Sequence, residues 1–317
     1  MKLLLFPVVL LFLIIGASFF IPVFSPRPST AVGNAGLASR EKLNFWGNQI
    51  RSRGPEAAYQ GLKNTYATAH FSTQHLASHI FGEELYETAG EDGVAVCDDV
   101  YAFGCFHGFF SAAVRDQGEK IISKLDAVCR KRESLGWITA CQHGLGHGII
   151  EYTGSKRLLD ALGMCSKVQQ ENPFYGCSSG IFMEYNMPVE IGSEKAVMKF
   201  RDLDQHSPYF PCDTLSDPFF KKSCYYELAH WWDKVYEKNY QKIGELCMSI
   251  KDSQDREACA IGMGNVAAPS SNYDAVSTAK KCRVLLESYY ALCISEAAQN
   301  FKSRPGAGDL VTPLDKF

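Results

Sequence analysis

The sequence predicts an all-α protein: about six disulfide-stapled helical hairpins of ~35 residues, forming an α/α solenoid or a compact helical-repeat array after an N-terminal membrane anchor. Three observations predict it. The 12 cysteines fall into close pairs that recur with a nearly constant period. Apolar residues between the pairs follow helical spacing. Strand signals are scarce, since few segments alternate with period two and no Asn-Gly or Asp-Gly turn joins two β-branched runs.

The elements follow in order. Met1 and Lys2 precede an uncharged, apolar run from Leu3 to Phe24. A bilayer core takes about 20 apolar helical residues, which assigns residues 1–24 to a transmembrane anchor. A cleaved secretory signal is the alternative, with Gly16-Ala17-Ser18 as its cleavage region. Residues 25–55 read as a linker that opens Ser25-Pro26-Arg27-Pro28 and continues rich in Gly and Ala. Residues 56–302 hold the repeat domain. The tail 303–317, with Pro305, Gly306, Gly308 and Pro313, is expected to fray.

Within the domain a first helix is expected over Phe71–Thr88. The cysteine pairs follow: Cys97/Cys105, Cys129/Cys141, Cys165/Cys177, Cys212/Cys224, Cys247/Cys259 and Cys282/Cys293. Successive second members lie 36, 36, 47, 35 and 34 residues apart, and the four middle pairs share the spacing C-x11-C. Ile121, Ile122, Leu125, Val128 and Cys129 form one helical stripe, and Leu158, Leu159, Leu162 and Cys165 repeat it. Turn signals stand between the cysteines at Ser134-Leu135-Gly136, Asn172-Pro173 and Asp217-Pro218. The first cysteine is therefore expected to end one helix and the second to open the next. A bond within each pair would staple the hairpin near its turn. That is the simplest of the many pairings twelve cysteines allow. The long third interval places an insertion over Asn186–Pro211, either a cover for a site or a tolerated surface loop.

In period and cysteine placement, Cys97 to Cys293 resembles the Sel1-like and tetratricopeptide α/α repeats, especially secreted cysteine-rich Sel1-like proteins with a disulfide in every hairpin. The Sel1 consensus is absent and the C-x11-C spacing is wider than that family's. The resemblance implies a shape and no functional residues.

Composition limits the function classes. A net charge of −3 without a basic run argues against nucleic-acid binding. A hydrophobic content of 46% excludes a disordered chain. The even cysteine count points to an oxidising compartment, with the domain facing the periplasm or the cell exterior on its anchor, or secreted if the leader is cleaved.

Alignment on the second cysteine exposes a candidate site. The segments are Cys105-Phe106-His107-Gly108, Cys141-Gln142-His143-Gly144, Cys177-Ser178-Ser179-Gly180 and Cys259-Ala260-Ile261-Gly262, while Glu227 and Glu296 replace the glycine elsewhere. Glycine inside a helix costs up to about 1 kcal/mol relative to Ala, so its recurrence predicts close helix approach. His143 and His147 share one helical face, as do His75 and His79. His107 holds the register position of His143. Neighbouring helices pack about 8–10 Å apart, close enough for such imidazoles to meet on an ion. Imidazole suits zinc, copper, iron or nickel. Glu184, one unit further on, is a candidate ligand, a partner holding a ligand's tautomer, or a general base. Glu83, four residues past His79, is a second candidate partner. The competing reading is a polar seam in which each imidazole bonds a carbonyl. His206 and His230 read as hydrogen-bonded core residues. A phosphate loop, a c-type haem site and a His-Glu-x-x-His protease site are excluded for lack of their motifs.

The functional expectation is a membrane-anchored, extracytoplasmic repeat protein holding a divalent transition metal through His75, His79, His107, His143 and His147. Whether it is an enzyme stays open. Catalysis would be hydrolytic, with Glu184 as base. The alternative is a non-catalytic scaffold for a protein or peptide partner.

Overall fold

The computed structural model describes residues 36–131, 134–190 and 197–303. The expected anchor over residues 1–24 and the tail from 304 onward lie outside the described residues. Among the described residues no helix is long and apolar enough to cross a membrane.

The described residues hold thirteen α-helices: α1 (Gly36–Arg53), α2 (Pro55–Tyr66), α3 (Phe71–Ala89), α4 (Gly104–Gln117), α5 (Ile122–Cys129), α6 (Leu135–Thr153), α7 (Leu158–Cys165), α8 (Cys177–Asn186), α9 (Pro218–Val235), α10 (Tyr240–Met248), α11 (Ser253–Ser270), α12 (Ala275–Cys282) and α13 (Glu287–Ser303). The first helix corrects the linker expected over residues 25–55 from Gly36 onward, residues 25–35 lying outside the described residues. Trp46 and Ile50, four apart, are buried, and the Trp46 ring meets Phe81 of α3 edge-on at 5.8 Å. The Gly/Ala composition upstream masks this apolar pair.

The longer helices pack in chain order: α3 on α4, α4 on α6, α6 on α8, α8 on α9, α9 on α11 and α11 on α13. The short helices α5, α7, α10 and α12 connect them, each packing on the longer helix that follows it. All six disulfides form within their pairs, and there is no free cysteine. Four of them span a sequence separation of 12. Closing a loop of that size stabilises the fold by about 3 kcal/mol in the chain-entropy picture.

The helix boundaries follow the expectation in part. Cys129, Cys165 and Cys282 do end α5, α7 and α12, and Cys247 is the penultimate residue of α10. Cys97 instead follows a 3-10 turn over Glu91–Val96, and Cys212 opens a 3-10 turn over Cys212–Thr214. Cys177 opens α8, but Cys141, Cys224, Cys259 and Cys293 stand well inside α6, α9, α11 and α13. Capping explains the difference. The Asp217 carboxylate accepts from the backbone N–H groups of Phe219 and Phe220 at 2.8 and 3.2 Å, with Pro218 at the first helical position. The Ser134 hydroxyl accepts from the N–H of Trp137 at 3.4 Å. Two of the expected turn signals are thus helix starts, since Ser and Asp supply N-caps and Pro fits the first turn.

The insertion contains a two-residue antiparallel pair, Val189–Glu190 with Val197–Met198. The described part of it packs on α9 and α10. The indole N–H groups of Trp231 and Trp232 donate to the carbonyls of Arg201 and Pro208, both at 3.1 Å, and the Arg201 guanidinium lies 3.7 Å from the Trp231 ring centre. The Tyr209 hydroxyl donates to the Leu246 carbonyl at 3.1 Å.

The recurring glycines set how closely the long helices approach. A Cβ on Gly108 of α4 would lie 1.8 Å from the His79 carbonyl oxygen of α3, and one on Gly180 of α8 would lie 2.0 Å from the His143 carbonyl oxygen of α6. Only glycine permits backbone contact of this kind.

Candidate metal centre

That backbone contact gathers five imidazoles. His75 and His79 come from α3, His107 from α4, and His143 and His147 from α6. Ring centres are 5.1 Å apart for His75–His79 and 5.3 Å from each of these to His107. His107 stacks on His147 at 3.9 Å, and His143 lies 4.9 Å from His147. One nitrogen from each of His75, His79 and His107 lies within 4.8 Å of the others, and the same holds for His107, His143 and His147. Either triad is able to hold a metal ion, and His107 is common to both. His79, His107 and His147 are buried; His75 and His143 are half-buried at the edge of the cluster.

Neighbouring groups bear on the tautomers of the rings. The Tyr101 carbonyl is 2.9 Å from His75 Nδ1. A carbonyl only accepts, so Nδ1 carries the proton and Nε2 carries the lone pair. His147 Nδ1 donates to the Glu184 carboxylate at 2.9 Å, which likewise frees Nε2. The Ser179 hydroxyl lies 2.6 Å from Glu227 and 3.3 Å from His143 Nδ1, and where it donates to Glu227 it accepts from His143. His143 Nε2 and His147 Nε2 then face each other at 3.1 Å. Two lone pairs aimed at one another repel unless a proton or a metal ion lies between or beside them. Outer partners that hold ligand tautomers in this way are typical of metal-binding histidines.

Charge states agree. Burial, the largest cause, lowers the pKa of all five histidines, and the neighbouring imidazoles lower four of them further in the metal-free protein. His147 falls to about 3. At neutral pH the cluster is uncharged, the state metal coordination requires. His107 is the extreme case: at 3% exposure, neither ring nitrogen has a hydrogen-bond partner. His79 Nδ1 is also unpartnered. An orphaned buried donor costs about 1–3 kcal/mol.

The loop that supplies the Tyr101 carbonyl is strained. Tyr101, Ala102 and Phe103 have φ of 58°, 51° and 61°. Left-handed backbone costs about 1–2 kcal/mol per non-glycine residue. The turn aims one carbonyl at His75 directly before α4 begins.

All five predicted histidines come together, and Glu184 joins them through His147. Glu83 does not: its carboxylate turns to Arg115, 3.2 Å away. Tyr101 escaped the sequence reading because its contribution is a backbone carbonyl. Ser179 and Glu227 were visible only as departures from the aligned His and Gly, a signal with no chemistry attached. His206 is exposed, contrary to the core reading, because it lies in the insertion. His230 is half-buried and hydrogen-bonded to the Asn265 amide at 2.9 Å.

The polar layer continues beyond the histidines with different residues. Tyr226, His230 and Asn300 all bond Asn265, and Glu296 accepts from Tyr175. Burial pushes Glu227 up to about 8 and Glu296 to about 7. No protein-family model, no curated protein and no solved structure matches this chain, so its likeness to disulfide-stapled repeats rests on the cysteine period and the helices alone.

Proposed function

We propose that this chain binds a divalent transition metal through His75, His79, His107, His143 and His147, in an oxidising compartment outside the cytoplasm. The observation that carries the reading is His107, buried with both ring nitrogens unpartnered and shared by two histidine triads whose nitrogens lie within 4.8 Å of one another. A polar seam would pair each nitrogen with a donor or acceptor, yet His107 has neither. The six disulfides support the compartment. The run Leu3–Phe24 would hold the domain at the membrane, and the chain-order packing of the long helices supports an α/α solenoid whose stacked layer presents the site.

Zinc, copper, nickel and iron all suit imidazole. Such an ion supplies Lewis acidity and an activated water. Glu184 is engaged with His147 Nδ1 and serves to hold that ring's tautomer rather than as a free base. The test is metal analysis of the full chain purified without a polyhistidine tag, followed by thermal melting with and without a chelator. Stoichiometric metal and a melting temperature that falls on chelation are expected. Metal-free protein that binds neither added Zn(II), Cu(II) nor Ni(II) would overturn the proposal and leave the protein- or peptide-binding scaffold as the better account.

A further inference from the structure

We infer that the centre holds two ions rather than one, with His107 bridging them through both ring nitrogens. The inference rests on the metal-binding reading and extends it. Five imidazoles serving one ion would converge on a single point, whereas the coordinating nitrogens close up as two groups of three that share one member. His75 and His79 belong to one group and His143 and His147 to the other. His107 is the shared member, and its position between α3 and α6 follows from the packing of α4 against both.

The hydrogen-bond pattern separates His107, with both nitrogens unpartnered, from its neighbours, of which His79 has Nδ1 unpartnered. His75, His143 and His147 each have Nδ1 tied to an oxygen, so each presents at most one nitrogen to an ion. His107 has both nitrogens buried and without partners. A terminal ligand almost always donates its second N–H to an acceptor. A ring that offers no acceptor for either nitrogen, and has two further imidazoles on each side, fits a bridge. On bridging, the ring gives up its remaining N–H proton to solvent and coordinates one ion through Nδ1 and the other through Nε2. The metals keep their oxidation states, and one proton is released beyond those displaced by the first ion.

The experiment uses the full chain with disulfides intact. Apoprotein is titrated with Zn(II) by calorimetry, and separately with Cu(II) followed by electron paramagnetic resonance. Two Zn(II) per chain are expected. With Cu(II), the resonance grows to one equivalent and falls as the second binds, because two coppers joined by an imidazolate couple magnetically. The double variants His75→Ala/His79→Ala and His143→Ala/His147→Ala should each retain one strong ion and give an uncoupled signal. One ion per chain in the wild type would overturn the bridge while leaving metal binding intact. Two coppers whose signals simply add would also overturn it. No binding of either metal would overturn the metal reading itself. The wild-type titrations decide the question even if a variant fails to fold.

Discussion

The long helices carry one polar layer whose two halves are built differently. In α3, α4 and α6 the layer is histidine, with Glu184 of α8 at its end. In α9 and α11 the histidine register holds Tyr226, His230 and Asn265, while Glu227 of α9 and Glu296 of α13 stand at the glycine register and Asn300 lies beside them. The second half largely closes on itself, since Asn265 alone joins Tyr226, His230 and Asn300. The first half leaves both nitrogens of His107 and one of His79 without partners. Buried polar groups are nearly always satisfied. The second half also has one unpartnered atom, Glu227 Oε2, but no ring with both nitrogens orphaned, and that difference points to a ligand for the first half.

The sharpest way to break this contrast is to remove one histidine from each half. His147→Ala should weaken Zn(II) affinity by about 100-fold or more, since structural zinc binding of about 10–16 kcal/mol is shared among a few ligands. His230→Ala should change it by no more than about twofold. Competition with a chromophoric chelator measures both. Equal losses would mean the halves do not differ in function.

The glycines offer a second comparison. A Cβ on Gly262 would lie 2.2 Å from the Tyr226 carbonyl oxygen, a clash much like that of Gly108 with His79. Gly108→Ala and Gly262→Ala should each cost about 2 kcal/mol in urea unfolding, within the usual range for overpacking. Only Gly108→Ala should also weaken metal binding, because it pushes α4 away from α3 and moves His107 from His75 and His79. Unchanged Zn(II) affinity in folded Gly108→Ala would show that the glycine layer serves packing alone.

A smaller effect separates the two outer carboxylates. Glu184→Gln should lower Zn(II) affinity about tenfold, the lower end of the range for a partner that orients a ligand. Glu296→Gln, whose carboxyl receives the Tyr175 hydroxyl, should leave affinity unchanged in the same competition assay.

Much of this contrast was legible in the sequence, for identifiable reasons. The cysteines marked the unit because each disulfide fixes a local loop, and a local constraint survives as a spacing. His75, His79, His143 and His147 announced themselves through i,i+4 spacing, and His107 through its equivalence to His143. Helix starts were less legible, because Ser134 and Asp217-Pro218 belong equally to turns and to N-caps, and only the hydrogen bonds of the fold decide between them. The α1 helix was hidden by its Gly/Ala neighbours. The groups that set the tautomers were hidden for a different reason. The Tyr101 carbonyl is backbone, and Ser179 acts on His143 from another unit, so neither leaves a spacing to read.

The least perturbing comparison is by pH, in chelator-treated protein. The histidines have folded pKa values below their ordinary 6.5. Below that pH the unfolded chain binds protons the folded chain does not, so stability falls as pH falls below about 6.5. Glu227 behaves oppositely. Its folded pKa is about 8 against an ordinary 4.5, so from about 4.5 to 8 the folded chain binds the extra proton and stability falls as pH rises. The slope is at most about 1.4 kcal/mol per pH unit for one proton. Between about 6.5 and 8 the histidines no longer contribute, and the raised carboxyls set the trend, Glu227 at about 8 above Glu84 and Glu296 at about 7. Glu227→Gln keeps the shape and an acceptor for Ser179 but cannot titrate. Urea midpoints measured from pH 5 to 8.5 should have a shallower alkaline decline in this variant, the remainder coming from Glu84 and Glu296, while the acid decline persists. A variant whose alkaline limb matched the wild type would show that Glu227 is ionised in the folded protein, and the second half would then carry a buried charge of its own.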